Sequence, residues 1–441
     1  MSIYARIAAA VLSVAFLSAS LPSEAIAAPE NERVSLPVTS RSGLSSSKLE
    51  ALDRIMLKVM KSNGIYAGQL AVAKHGQLVY SKAFGFSDKE RKVDTSCDTL
   101  FRIASSSKPI TAVAIMTLVQ QGKLKVDDKA LDILKDYKPA AGEPFDPKLQ
   151  TVTVRQLLEH TAGFSNAKGD PQFEYLRLAA QKYSLPQPAS AQAIVRYRLT
   201  KPLDRDPATQ YEYSNFGYNM LGRIIEKVSG EDYETYVKKN VLNPAGASNM
   251  VLGHTRLVEM SPKEVFYDDL GNSDSGTDNR GWSVYAAEPE QVAASYGSSF
   301  SQEAMDAHGG WLATAEDLTK FIAAADGSNS TCKLLNPETI SLMVAPPEVA
   351  QGQPGEKGEQ GKKKKNRSGS YYAKGWNFDP KSGQWAHSGA LTFGTASFVC
   401  HLADGVQVAA VFNHLPTDYG KFFEAMQPKI VNAVEKRKSK I

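Results

Sequence analysis

Strand-like apolar runs lie near both ends of this chain, and helical periodicity fills the long stretch between them. Tyr66–Ala73 and Gln77–Phe84 read as strands joined by Lys74-His75-Gly76, a hairpin signature. Near the other end Gln384–His387, Thr395–Leu402 and Val406–Phe412 are strand candidates. Asp404-Gly405 links the last two and is a strong hairpin signal. A chain patterned this way does not alternate strand and helix, so it must gather its two ends into one sheet. The expected fold class is α+β: an antiparallel sheet formed from N- and C-terminal strands, flanked by helices, with a large helical insertion at about 110–330.

Helix signals support this division. Ser47-Lys48-Leu49-Glu50 resembles a capping box opening a helix with Leu49, Leu52, Ile55, Met56 and Val59 on one face. Ile110–Val119 is strongly apolar, Val154–Leu158 starts a short helix, and Phe216–Val228 is a longer one ended by Ser229-Gly230. Thr314-Ala315-Glu316-Asp317 caps another, and a final helix runs from about Tyr419 to Glu435. One domain is expected over 49–435. Residues 345–370, rich in Pro, Gly, Gln, Glu and Lys with Lys362–Lys365, read as a solvated flexible loop rather than a basic docking patch.

The N-terminus reads as a secretory signal peptide over 1–27. Arg6 supplies the positive start, Ile7–Leu21 the apolar stretch, and Ala25-Ile26-Ala27 the small-x-small cleavage pattern before Ala28. A polar lead-in, loose up to about Leu44, follows over 28–48. No Cys follows the cleavage pattern, so no lipid anchor is implied. The expected location is periplasmic or secreted, an oxidising space in which Cys97, Cys332 and Cys400 could form one bridge; the sequence does not choose the pair. With 441 residues, 42% hydrophobic, 22% charged and a net charge of +4, the composition is globular and offers no basic domain for nucleic acid. No apolar run reaches the roughly 18 residues of a spanning helix, so no stable membrane insertion is expected after signal removal.

Three short segments carry chemistry. Phe101-Arg102-Ile103-Ala104-Ser105-Ser106-Ser107-Lys108-Pro109 places a serine where an apolar helix begins and a lysine three residues on, one helical turn away. A serine hydroxyl needs a base to become a nucleophile, and a partly buried lysine can be that base. The same four letters recur at Ser45-Ser46-Ser47-Lys48, where they read as the cap of a surface helix. Tyr213-Ser214-Asn215 is a polar triplet before a helix; it can aim a phenol and an amide into one cleft, and a neighbouring cation that lowered the phenol's pKa would let it relay a proton. His387-Ser388-Gly389 sits on a late strand, where Gly389 would let a substrate backbone approach. A second H-x-G, His308-Gly309-Gly310, lies in a glycine turn with no strand around it and is set aside. His160 reads as a hydrogen-bonded turn histidine. No metal-ligand spacing, Walker loop, G-x-G-x-x-G or G-x-S-x-G elbow is present, so no metal and no cofactor are expected.

In this order, S-x-x-K, Y-x-N and H-x-G resemble the serine β-lactamase and penicillin-binding protein superfamily, closest to its class C β-lactamase, DD-peptidase and family VIII esterase branch. Leu157-Leu158-Glu159-His160-Thr161-Ala162-Gly163, Gly309–Leu318 and Lys374-Gly375-Trp376 are similar to secondary markers of that group. The resemblance covers about 50–435. It implies Ser105 as the acylated nucleophile, with Lys108 and Tyr213 sharing base and proton-shuttle duty. Asn215, His387, Ser388 and Gly389 would contact substrate, and the backbone N–H groups of Ser105 and Ala390 would form the oxyanion hole.

Position 387 departs from family β-lactamases, which usually carry lysine there; histidine is mostly neutral at pH 7, which lowers the expectation of β-lactam hydrolysis. The expected function is an exported serine hydrolase cleaving an amide or ester through a Ser105 acyl-enzyme, with a D-amino-acid peptide, ester or β-lactam as substrate. The alternative is a penicillin- or peptidoglycan-binding module with little turnover. Oligomeric state is not legible.

Overall fold

The computed structural model describes residues 36–41, 49–166, 169–267, 280–285, 290–349, 369–391 and 394–438. Eight strands form one sheet: β1 Val38–Ser40, β2 Ala67–Lys74, β3 Gln77–Gly85, β4 Tyr371–Tyr372, β5 Asn377–Asp379, β6 Gln384–Leu391, β7 Thr395–Leu402 and β8 Val406–Phe412. Their order is β1-β3-β2-β8-β7-β6-β5-β4, and every pairing is antiparallel. The two ends of the chain meet at β2 and β8, paired from Gly68↔Phe412 to Lys74↔Val406. The α+β expectation therefore holds.

Six helices position the rest: α1 Glu50–Ser62, α2 Lys108–Gln120, α3 Pro171–Lys182, α4 Asn215–Ser229, α5 Ala315–Ala325 and α6 Tyr419–Glu435. Side chains alternate across a strand, and here both faces are covered. Leu70, Val72, Phe398, Cys400 and Val408 pack with Leu52 and Met56 of α1 and Phe422, Met426 and Ile430 of α6. Ala67, Ala71, Val399, Ala409 and Val411 face the helical region, whose core includes nearly the whole of α2.

Local chemistry explains the turns. His75 and Gly76 both have positive φ, 52° and 79°, the conformation that tight hairpins require. Asp404 and Gly405 do the same at 66° and 67° between β7 and β8. Gly230 ends α4 in the left-handed region, and Thr314 caps α5 by accepting from the Asp317 N–H.

Several expectations change. Val38–Ser40, placed in a loose lead-in, forms an edge strand on β3. Leu49, not Ser47, stands at the N-cap of α1, without a side-chain cap; Ser47 itself lies outside the described residues. β6 runs on to Leu391, because pairing with β7 overrides the weak strand preference of Ser388-Gly389-Ala390. Cys97, Cys332 and Cys400 are separate thiols. The signal peptide, most of the lead-in and 350–368 of the Lys/Gly loop lie outside the described residues. No helix among the described residues is long and apolar enough to cross a membrane.

Candidate active site

The nucleophile segment is held between two sheets. Phe101–Arg102 pairs with Trp311–Ala313, then the chain makes a tight turn over Ala104–Ser107 before α2 begins at Lys108. Ala104 takes a φ of +44°, a costly conformation for a residue with a side chain. The turn is tied to β7: Ser397 Oγ donates to the Ile103 carbonyl at 2.7 Å and lies 2.8 Å from Ser106 Oγ. Ser106 and Ser107 are fully buried, whereas Ser105 stays partly open to solvent.

Three distant stretches meet at Ser105. Its Oγ is 3.0 Å from Lys108 Nζ and accepts from the Tyr213 hydroxyl at 2.8 Å. Ser214 caps α4 by accepting from the Gly217 N–H, which sets Tyr213 just before the helix and Asn215 at its first position. Lys108 Nζ also lies 2.7 Å from Asn215 Oδ1 and 3.1 Å from the His308 carbonyl. Both of those oxygens can only accept. A neutral amine has two hydrogens and one lone pair, so donating to both leaves the lone pair for the Ser105 hydroxyl. Burial lowers the Lys108 pKa to about 7, partly opposed by the charge of Asp170. The amine can therefore act as a base at neutral pH.

Tyr213 behaves differently from the expectation. Burial raises its pKa, and no cation lowers it, so it rests as a hydrogen-bond donor to Ser105. His160 supports it: Nδ1 accepts from the Ser214 N–H at 3.2 Å, and the ring stands among Tyr211, Tyr213, Tyr218 and Tyr372. That is a turn histidine, with φ +57°, as its sequence context suggested.

The third element is divided by the strand it sits on. His387, Gly389 and Leu391 face the helical region, and Ser388 and Ala390 point the other way. Ser388 Oγ accepts from Gln427 Nε2 of α6 at 2.7 Å, so the expectation that its hydroxyl contacts substrate is overturned by strand alternation. His387 is 4% exposed; its Nδ1–H donates to the Ser388 carbonyl at 2.8 Å and its Nε2 accepts from Tyr372 Oη at 3.2 Å. Burial and the neighbouring Lys108 lower its pKa to about 3. It is neutral and engaged on both nitrogens, which leaves no free ring nitrogen for the substrate contact expected of it. Gly389 makes room for the nucleophile turn rather than for a substrate backbone: a β-carbon there would meet the Ile103 carbonyl and lie 3.0 Å from the Ser106 nitrogen. Ala390 follows on the stretch of β6 beyond Ala386, where pairing with β5 ends. The expected oxyanion pair, the N–H groups of Ser105 and Ala390, thus belongs to two adjoining segments.

Sequence reasoning missed Asp170. It caps α3 through the Gln172 N–H, and its Oδ2 accepts from Asn215 Nδ2 at 2.6 Å. Asp170-Pro171 is legible as a helix start, but nothing in the sequence ties it to Asn215. The expected contact of Asn215 with substrate is narrowed accordingly, since the two ends of its amide hold Lys108 and Asp170. His308, set aside as a false H-x-G, joins the site through its carbonyl. Behind the site Lys374 and Glu159 form a fully buried ion pair at 2.7 Å. Two surface cavities of about 780 and 820 Å³ are lined by other residues. Among the described residues His254, Glu259 and Glu303 alone bring ligand-type atoms within 4.8 Å of one another, on the surface, where acidic groups often gather without an ion.

A sheet closed by both chain ends, with serine, lysine and tyrosine gathered where it meets the helical region, defines the β-lactamase/transpeptidase type of protein. The chain belongs to the Beta-lactamase family, a family of serine hydrolases, whose sequence profile matches residues 52–425. It is similar to a putative D-alanyl-D-alanine carboxypeptidase of Escherichia coli (strain K12), 25% identical over 318 residues that span 69% of this chain and 70% of the relative. Among solved structures it is similar to D-amino acid amidase from Ochrobactrum anthropi SV3, with a TM-score of 0.62 and 22% identity, covering 89% of this chain and 100% of that one. It is also similar to EstCE1, a hydrolase with promiscuous acyltransferase activity, with a TM-score of 0.61, 18% identity, and coverage of 88% and 98%. At these identities the structural likeness speaks for the fold. The family expected from the three motifs is the family found.

Proposed function

We propose that this protein is an exported serine hydrolase that cleaves an amide or ester bond through an acyl-enzyme on Ser105. Ser105 Oγ attacks the carbonyl carbon while its proton passes to Lys108 Nζ. The carbonyl electrons move onto oxygen beside the Ser105 and Ala390 N–H groups. Collapse of that intermediate expels the amine or alcohol, which takes a proton from the lysine by way of the Tyr213 hydroxyl. Water then attacks the acyl carbon and gives a proton to Lys108; collapse of this second intermediate breaks the bond to Ser105 Oγ, which takes that proton back from Lys108 as the acid leaves. The observation that carries this reading is Ser105 Oγ within hydrogen-bond reach of both Lys108 Nζ and Tyr213 Oη.

The relatives' names, a putative D-alanyl-D-alanine carboxypeptidase and a D-amino acid amidase, favour D-amino-acid peptides and amides, with esters and β-lactams as the other candidates. Parallel assays on p-nitrophenyl acetate, a D-Ala-D-Ala peptide, a D-amino-acid amide and nitrocefin rank them. Labelling by a fluorophosphonate or a fluorescent penicillin, with peptide mapping, tests the nucleophile: the label is expected on Ser105 and absent from Ser105→Ala, and a label that survives that change overturns the assignment. Export is tested by sequencing the N-terminus of the mature protein, expected at Ala28.

A second reading, a penicillin- or peptidoglycan-binding module that acylates once, is favoured by one observation: with the Tyr213 pKa raised, Lys108 has to serve as base in both acylation and deacylation. A stoichiometric burst without steady turnover on every acyl donor would select it.

A further inference from the structure

Lys108 lies in a nearly uncharged shell. The rings of Tyr213 and Tyr218 lie beside it, and the imidazoles of His160, His308 and His387 are near enough to feel its charge. Burial holds all three imidazoles well below their ordinary range, so they are neutral at pH 7. Among the described residues, the carboxylate acting on the amine is Asp170. Between them stands Asn215, whose Nδ2 donates to Asp170 Oδ2 at 2.6 Å and whose Oδ1 takes the amine hydrogen at 2.7 Å.

An asparagine amide has two unlike ends, and its partners decide which way it faces. A carboxylate only accepts, so Asp170 draws the NH₂ end and turns the oxygen towards Lys108. Asp170 is itself fixed by the Gln172 N–H at 3.0 Å and by Asn166 Nδ2 at 3.2 Å. Were the amide to flip, its NH₂ would face the lysine, and the amine would have to turn its lone pair away from Ser105.

We propose that Asp170 is a positioning residue for acyl transfer: by fixing the Asn215 amide it aims the Lys108 lone pair at the Ser105 hydroxyl. The arrangement runs carboxylate, amide, amine, hydroxyl. It has the logic of a carboxylate orienting the imidazole of a Ser-His-Asp triad, with an amide interposed. It rests on the reading of Lys108 as the base. Asp170 also leaves its charge on the amine, favouring the protonated form.

The test is the rate of Ser105 labelling by a fluorophosphonate across pH, on the full chain. Asp170→Asn removes the charge and the one-sided acceptor. The rate inflection is expected to move about one pH unit lower, and the plateau rate to fall about 10- to 100-fold. In an Asn215→Ala background the same change should leave the plateau unaltered, because the amide it orients is gone. A plateau loss of equal size in both backgrounds, or an inflection that stays in place, overturns the proposal. Should Asp170→Asn fail to fold, Asp170→Ser keeps a capping oxygen but cannot reach Asn215, and the same two readings apply to it. If wild-type protein is not labelled at Ser105 at all, the hydrolase reading fails and this proposal falls with it, whereas labelled wild type with an unmoved inflection overturns this proposal alone.

Discussion

Gly389 on β6 and Ile103 before the nucleophile turn stand so close that a β-carbon on Gly389 would lie 2.0 Å from the Ile103 carbonyl oxygen. The contact is with backbone, so no side chain can swing aside. Gly389→Ala should push the Ala104–Ser107 turn off β7, cost about 1–3 kcal/mol of stability and slow Ser105 labelling. Ser388→Ala, one residue away on the opposite face, should leave labelling near wild type. Equal labelling rates for the two variants would mean that the strand does not set the turn.

The Lys108 amine must be neutral to take a proton. Below about pH 7 the labelling rate should rise about tenfold per pH unit and level off above, following the amine. His387, lowered to about 3, should add no second inflection between about pH 5 and 8. A rate that is flat through pH 7 would remove Lys108 from the base role.

Tyr213→Phe deletes one of the two hydrogen bonds to Ser105 Oγ and leaves the ring in the His160 cage. The acylation rate should drop about 10²- to 10⁴-fold, the range for a positioned proton-transfer group, with the inflection near pH 7 retained. Loss of that inflection in Tyr213→Phe would mark the phenol, not the amine, as the base.

The Lys374–Glu159 pair is buried on both sides. Lys374→Met leaves the buried Glu159 carboxylate without its ion-pair partner, with the charge of Arg155 still acting on it, and should cost about 3–5 kcal/mol in urea unfolding, whereas adding Glu159→Leu should restore much of it. A double variant no better than the single would show that the pair does more than neutralise itself.

The parts of this fold governed by neighbours in sequence were legible. The hairpin at His75-Gly76, the cap at Thr314 and the helix Tyr419–Glu435 all follow local rules of turn, cap and period. So was the S-x-x-K, Y-x-N, H-x-G order. Ser388 was misassigned although the signal was present: on a strand its side chain cannot face the same way as that of His387. Asp170 and the His308 carbonyl were not legible, because a helix cap and a main-chain oxygen carry no mark of what they will face. The Lys108 pKa follows from burial, which depends on how completely the helical region closes over α2.

The junction of β2 with β8 has a consequence for how the molecule comes into being. Its central seam joins residues separated by most of the chain, so the nucleophile turn, braced by β7, cannot be set until nearly everything has been synthesised. A nascent or truncated product ending before about residue 412 would carry the serine, the lysine and the tyrosine and still be chemically silent. Topology thereby ties completion of the site to the last strands of the chain.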